Sequence, residues 1–182
     1  MPRKGFDPIG VKVSILIEFV DLMFNDLKLN KEEVKNHTTR TICEKVIKPI
    51  TIENKTSFCE HLKANNNSNI GGPTAFISHD WNSKFLDIVD AIKLHFTFDP
   101  DAIIWFDLFS VNHHYSIHFD VDWWRSYKSL ISNINNTVLI VTPWNSTKPY
   151  NSTWILYELY CTSIKDTSYE FDIAMTKSEK KR

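Results

Sequence analysis

Residues 74–109 read TAFISHDWNSKFLDIVDAIKLHFTFDPDAIIWFDLF, and the order of apolar residues in this stretch decides the fold. Thr74 to His79 is a short apolar run between polar segments, which predicts a buried strand. Phe85, Ile88, Val89, Ile92 and Phe96 then recur at three- and four-residue steps, which predicts a helix over 84–96. Ala102 to Phe109 is a second apolar run. Strand, helix and strand in this order form a unit whose strands pair in parallel through a right-handed crossover. The alternation continues towards the C-terminus. A helix is expected over 122–134 with Asp122 as its N-cap, a strand over 137–142, a helix over 152–163 capped by Ser152, and a weaker strand over 171–175. Near-continuous apolar strands fit a sheet covered on both faces. The expectation is an α/β chain with a doubly wound, parallel sheet of about four strands and flanking helices.

Towards the N-terminus, the Asn-, Gly- and Pro-rich stretch 65–73 reads as a loop and a boundary. Before it the pattern is helical. Leu16, Phe19, Val20, Met23 and Leu27 make one apolar stripe. Thr38-Thr39 offers an N-cap for a helix through Ile42, Val46 and Ile47 that Pro49 should end. A short third helix is expected over 56–62. The chain therefore divides into a helical N-terminal extension (1–64), a loop (65–73), an α/β domain (74–176) and a basic tail (177–182).

Composition narrows the function. The chain has 182 residues with 42% hydrophobic and 24% charged side chains, a globular composition. The net charge is −1 and the one basic run, Lys177 to Arg182, is terminal, so nucleic acid is not an expected partner. Cys43, Cys59 and Cys161 form no CxxC pair, which removes the usual zinc and thioredoxin-type sites and fits thiols in a reducing compartment. The apolar stretch Val11 to Leu27 is broken by Lys12, Glu18 and Asp21, and reads as neither a signal peptide nor a membrane span. A cytoplasmic protein without membrane partners is expected.

In a doubly wound sheet the ligand crevice lies beyond the carboxyl ends of the strands. The first strand ends in Ser78-His79-Asp80-Trp81, the second ends in Asp107, and Ser152-Thr153-Trp154 opens the helix after the third. Glu158, four residues beyond Trp154, shares a helical face with it. A carboxylate there can grip ribose hydroxyls or stabilise an oxocarbenium-like centre. Trp81 or Trp154 can stack on a heteroaromatic ring. On pattern alone a helical Glu is ordinarily a solvated surface residue and a Trp such as Trp154 ordinarily core. Asp107 can meet a ribose hydroxyl or cap the turn that follows it. His79 can titrate near neutrality or simply hydrogen-bond backbone at the strand end.

Tyr150 to Leu159 (YNSTWILYEL) resembles the TIR-domain pattern in which Ser-x-Trp-Cys-x-x-Glu-Leu opens the third helix. Thr74 to Trp81 (TAFISHDW) resembles the first TIR strand and its loop, and Trp105-Phe106-Asp107 the end of the second strand. Ser110-Val111-Asn112-His113 is similar to the corresponding segment of the heterokaryon-incompatibility domain, a TIR relative. The lead Thr38-Thr39, Cys43-Glu44, Lys48-Pro49 and Thr51 is similar to that of TIR-like domains in protist and algal proteins. Position 155 is Ile where many TIR domains have Cys, and the chain after Glu158 is too short for the last helix and strand of a full TIR domain. The resemblance implies a flavodoxin-like fold and cleavage of NAD at the nicotinamide–ribose bond, in signalling or defence. Glu158 would be the catalytic carboxylate, with His79, Trp81, Asp107 and Trp154 lining the pocket. NAD would be the substrate, no cofactor or metal would be needed, and the active form would be a homotypic assembly. The alternative is an interaction module without turnover that uses the loop Ser110 to Val121. A weaker metal reading rests on His113, His114, His118, Asp120 and Asp122, which lack any established ligand spacing.

Overall fold

The computed structural model describes residues 8–115, 121–145, 152–164 and 169–180. Six strands are present: β1 (Gly10–Lys12), β2 (Ile70–Gly71), β3 (Ala75–Ser78), β4 (Ile103–Phe106), β5 (Asn136–Ile140) and β6 (Glu170–Ala174). They form one sheet in the order β2-β1-β4-β3-β5-β6. β4, β3, β5 and β6 are mutually parallel. Numbered among themselves, these four run second-first-third-fourth, an order compatible with a flavodoxin-like sheet.

The sheet has six strands rather than the expected four. β1 pairs antiparallel with β4, and β2 antiparallel with β1. The segment before the Asn-rich stretch thus adds a strand as well as helices, and that stretch itself supplies β2. Gly10 makes the close approach possible: a Cβ there would stand 2.4 Å from the Ile104 carbonyl oxygen. Only a residue without a side chain fits so near a neighbouring backbone.

The helices are α1 (Ser14–Asp21), α2 (Lys31–Val34), α3 (Thr39–Ile42), α4 (Lys48–Thr51), α5 (Phe58–Ala64), α6 (Phe85–His95), α7 (Asp107–Ser110), α8 (Val121–Ile134) and α9 (Thr153–Ser163). α1 runs into a π-helical turn at Leu22–Asp26, and α3 is joined to α4 by another at Cys43–Ile47. Thr38 caps α3 by accepting from the Thr41 amide, and Ser152 caps α9 by accepting from Ile155. Pro49 does not end the helix. It lies in the first turn of α4, within a helical run that continues from α3 through the π-helical turn. Ser57 and Glu60 cap α5 reciprocally.

Alternate strand residues feed two cores. Ala75, Ile77, Ile104, Phe106, Val138 and Ile140 join α1, α5 and α6 in the larger one. Phe76 and Trp105 face the other way, onto Tyr127, Leu130 and Ile131 of α8 and Cys161 of α9. Burial on both faces is why the strands read as unbroken apolar runs. β6 is an edge. Its register sets Phe171 beside Thr137 and Ile173 beside Leu139, and both side chains stay 40% and 48% exposed. No helix among the described residues is long and apolar enough to cross a membrane.

Candidate functional site

A cavity of about 480 Å³ opens beyond the carboxyl ends of β3 and β4, within the size range of small-molecule sites. His79, Trp81, Asp107 and Trp154, the expected pocket residues, all line it. Three structural units bring them together. The segment after β3 carries His79 and Trp81, the head of α7 carries Asp107, and the first turn of α9 carries Trp154.

Asp107 organises the floor. Its Oδ2 accepts from Trp81 Nε1 at 2.5 Å, and its Oδ1 accepts from the Leu108 amide at 2.7 Å. It therefore supports the turn it opens and holds the Trp81 ring. His79 is 3% exposed, lies under the Trp81 ring and meets Phe106 at 5.0 Å. Its Nδ1 stands 3.7 Å from Asp107 Oδ1, and its Nε2 has no hydrogen-bond partner among the described residues. Burial lowers its pKa, against the pull of Asp107, so the ring is neutral at pH 7. His113 Nε2–H donates to the carbonyls of Asp107 and Leu108, and its ring meets Trp81 edge-on at 5.3 Å.

The opposite wall is aromatic. Trp123 stacks on Tyr127 with ring centroids 5.1 Å apart, and Trp154 lies 4.8 Å from Tyr127 and 5.1 Å from Trp123. Trp154 and Trp123 line the cavity while packing against the smaller core.

Glu158 does not line the cavity. It lies behind Tyr127 and Trp154, 2% exposed. Its Oε2 accepts from Ser78 Oγ at 2.6 Å and its Oε1 from the Tyr127 hydroxyl at 2.5 Å. Burial pushes its pKa up to about 8, although the bonds from Ser78, Tyr127 and Trp154 favour the anion. Burial thus favours the neutral carboxyl over the anion. Burial, with Glu158 beside it, also drives the Tyr127 phenol well above its usual value.

The third wall comes from the N-terminal segment. Residues 37–40 run along 81–85: Phe85 N–H donates to the His37 carbonyl at 2.9 Å, Thr39 N–H to Ser83 at 3.2 Å, and Arg40 N–H to Trp81 at 3.2 Å. A β-bridge joins Thr38 to Lys84. These bonds set the Arg40 guanidinium 5.9 Å from the Trp81 ring centroid, in cation–π contact. Arg40, Glu44 and Lys48 all reach the cavity rim, and Lys48 Nζ pairs with Glu44 at 2.6 Å.

Sequence reading missed Arg40, Ser78 and Tyr127. Ser78 and Tyr127 meet Glu158 across 80 and 31 residues of chain, and no local pattern carries such a bond. The one available signal for Ser78 was its place at a strand's carboxyl end.

The histidine-rich loop is only partly in view. His118 and Asp120 lie outside the described residues, as do Tyr150 and Asn151 of the α9 motif. His114 bonds Thr51 Oγ1 at 2.8 Å, away from the His113 partners, and Asp122 faces Arg125 at 3.8 Å. Among the described residues no three of His, Cys, Asp and Glu are placed to hold a metal.

No family model matches the chain, and no curated protein or solved structure matches it.

Proposed function

We propose that the protein is a TIR-like domain that binds NAD in this cavity and cleaves the nicotinamide–ribose bond, with Glu158 as the catalytic carboxylate. The observation that supports it is a buried carboxyl directly behind an aromatic wall at the carboxyl ends of parallel strands. Rings of NAD stack on Trp123 and Trp154. As the C1′–N bond breaks, its electron pair passes to the nicotinamide nitrogen and cancels the pyridinium charge. C1′ is left as an oxocarbenium ion, which the Glu158 carboxylate stabilises until water adds and releases a proton. Two changes must precede the step. Trp154 swings off the carboxyl, and Glu158 loses its proton, an ionisation that the positive pyridinium favours. His79 and Asp107 keep Trp81 in place. The reading also takes the active form to be a homotypic assembly in the cytoplasm, where the buried thiols of Cys43, Cys59 and Cys161 stay reduced.

The test is nicotinamide release from NAD at high protein concentration, beside Glu158→Ala and Glu158→Gln. Release that both variants abolish supports the reading. A folded, self-associated sample that releases none ends it. One observation favours a second reading, an interaction module that binds nucleotide without turnover: Glu158 is walled off from the cavity. In that case NAD binds and Glu158→Ala leaves its affinity unchanged.

A further inference from the structure

The N-terminal segment carries to the cavity the Arg and Lys side chains that the described α/β residues lining it do not supply. Arg40 is exposed at the rim, and among the described residues no carboxylate lies within ion-pair distance of it. Lys48 reaches the same rim with a single partner, Glu44. The opposite wall is built of Trp123, Trp154 and Tyr127, with no charged group among them. A ligand spanning the cavity therefore meets flat apolar surface on one side and Arg40 and Lys48 on the other, where the lining carboxylates are already engaged: Glu44 with Lys48, Asp107 with Trp81 and Leu108, and Asp80 with Asn82. The cations are not free to drift. The bonds from 37–40 to 81–85 fix the backbone of Arg40, and Trp81 supports its guanidinium from below. Trp81 is itself held by Asp107. A guanidinium presented in this way suits bidentate contact with phosphate oxygens, and Lys48 adds a point charge to the same cavity.

We propose that Arg40 and Lys48 form a diphosphate subsite, so that the ligand is a nucleoside diphosphate or dinucleotide whose ring lies against Trp123 and Trp154; this rests on reading the cavity as a nucleotide site. Glu44 then exchanges Lys48 with the ligand, holding the lysine at the rim while the cavity is empty.

Calorimetric titration of the full chain with ADP and with adenosine, at one fixed ionic strength, tests it. ADP is expected to bind about tenfold or more tightly than adenosine. The Arg40→Ala/Lys48→Ala double variant is expected to bring that ratio close to one while leaving adenosine binding unchanged. Arg40→Lys, which keeps the charge, retains a preference for ADP. Equal affinities in the native chain overturn the subsite, and so does the absence of ADP binding. An equal loss for both ligands in the double variant also overturns it, since Arg40 would then only support the Trp81 ring. Unchanged melting temperatures show that the variants are folded. ADP carries no nicotinamide, so ADP binding can persist where nicotinamide release fails, and the reverse.

Discussion

The two walls of the cavity are made in different ways. The aromatic wall is made by side chains. Trp105 stacks on Phe76 at 5.1 Å, Tyr127 meets both edge-on, and Glu158 is sealed behind them by Ser78 and Tyr127. The charged wall is made by backbone, through the bonds that tie 37–40 to 81–85. The difference teaches where the chain tolerates change. A substitution in the first wall strikes the fold and the site together, whereas one in the second removes a contact at the rim and leaves its scaffold standing.

The sharpest break of this contrast is Trp105→Ala. It empties a fully buried position between Phe76 and Tyr127, and should lower unfolding free energy by about 3–5 kcal/mol in denaturant titration. Arg40→Ala, on the other wall, should change stability by less than about 0.5 kcal/mol. Similar losses at the two positions would erase the distinction.

Glu158 gives the next largest effect, and it depends on pH. Its folded pKa, about 8, lies above the ordinary value of 4.5, so the folded state holds the proton more tightly than the unfolded chain. Stability tied to that proton is complete below pH 4.5, falls as pH rises through the interval, and is gone above about 8. Compared with Glu158→Gln, the native chain should lose on the order of a few kcal/mol across this window in melts at successive pH values. A constant difference between the two proteins would show that the carboxyl is not buried in its neutral form.

Tyr127→Phe sharpens the picture at one bond. It removes a donor that favours the anion, so the Glu158 pKa should rise further, and any nicotinamide release should begin at higher pH. The direct loss of stability should be about 1 kcal/mol by denaturant unfolding. Thr38→Ala tests the charged wall at its cap. It removes the α3 cap on the charged wall and should cost about 1 kcal/mol or less, with ADP affinity falling only as far as Arg40 is displaced.

What could be read from the sequence follows the same division. β3, β4 and β5 were legible because they are core strands buried on both faces, β6 only weakly because it is an exposed edge, and the caps Thr38 and Ser152 because capping is a local bond. β1 and β2 were not. Strands of three and two residues carry no period of their own, and they exist because the free edge of β4 accepts β1 and β1 in turn accepts β2. The Val11 to Leu27 stripe drew attention to the helix and hid the strand before it. Within the site, His79, Trp81, Asp107 and Trp154 could be placed from the rule that crevices open at strand ends. The same rule could not tell that Glu158 turns behind the wall rather than into the cavity. That depends on Ser78 and Tyr127 being within reach, which only the folded chain determines.

The arrangement of β1 and β2 bears on how such chains can join. The β4 edge is already occupied, and the strand that ends the sheet on that side, Ile70–Gly71, offers two residues to a newcomer. On the other side β6 presents five residues with Phe171 and Ile173 uncovered. Among the described residues the β6 edge is thus the longer and the more apolar of the two. A pairing of β6 with β6 across a two-fold axis consumes the available edge of both partners and closes as a dimer, whereas a sheet open at both ends would propagate into a fibre.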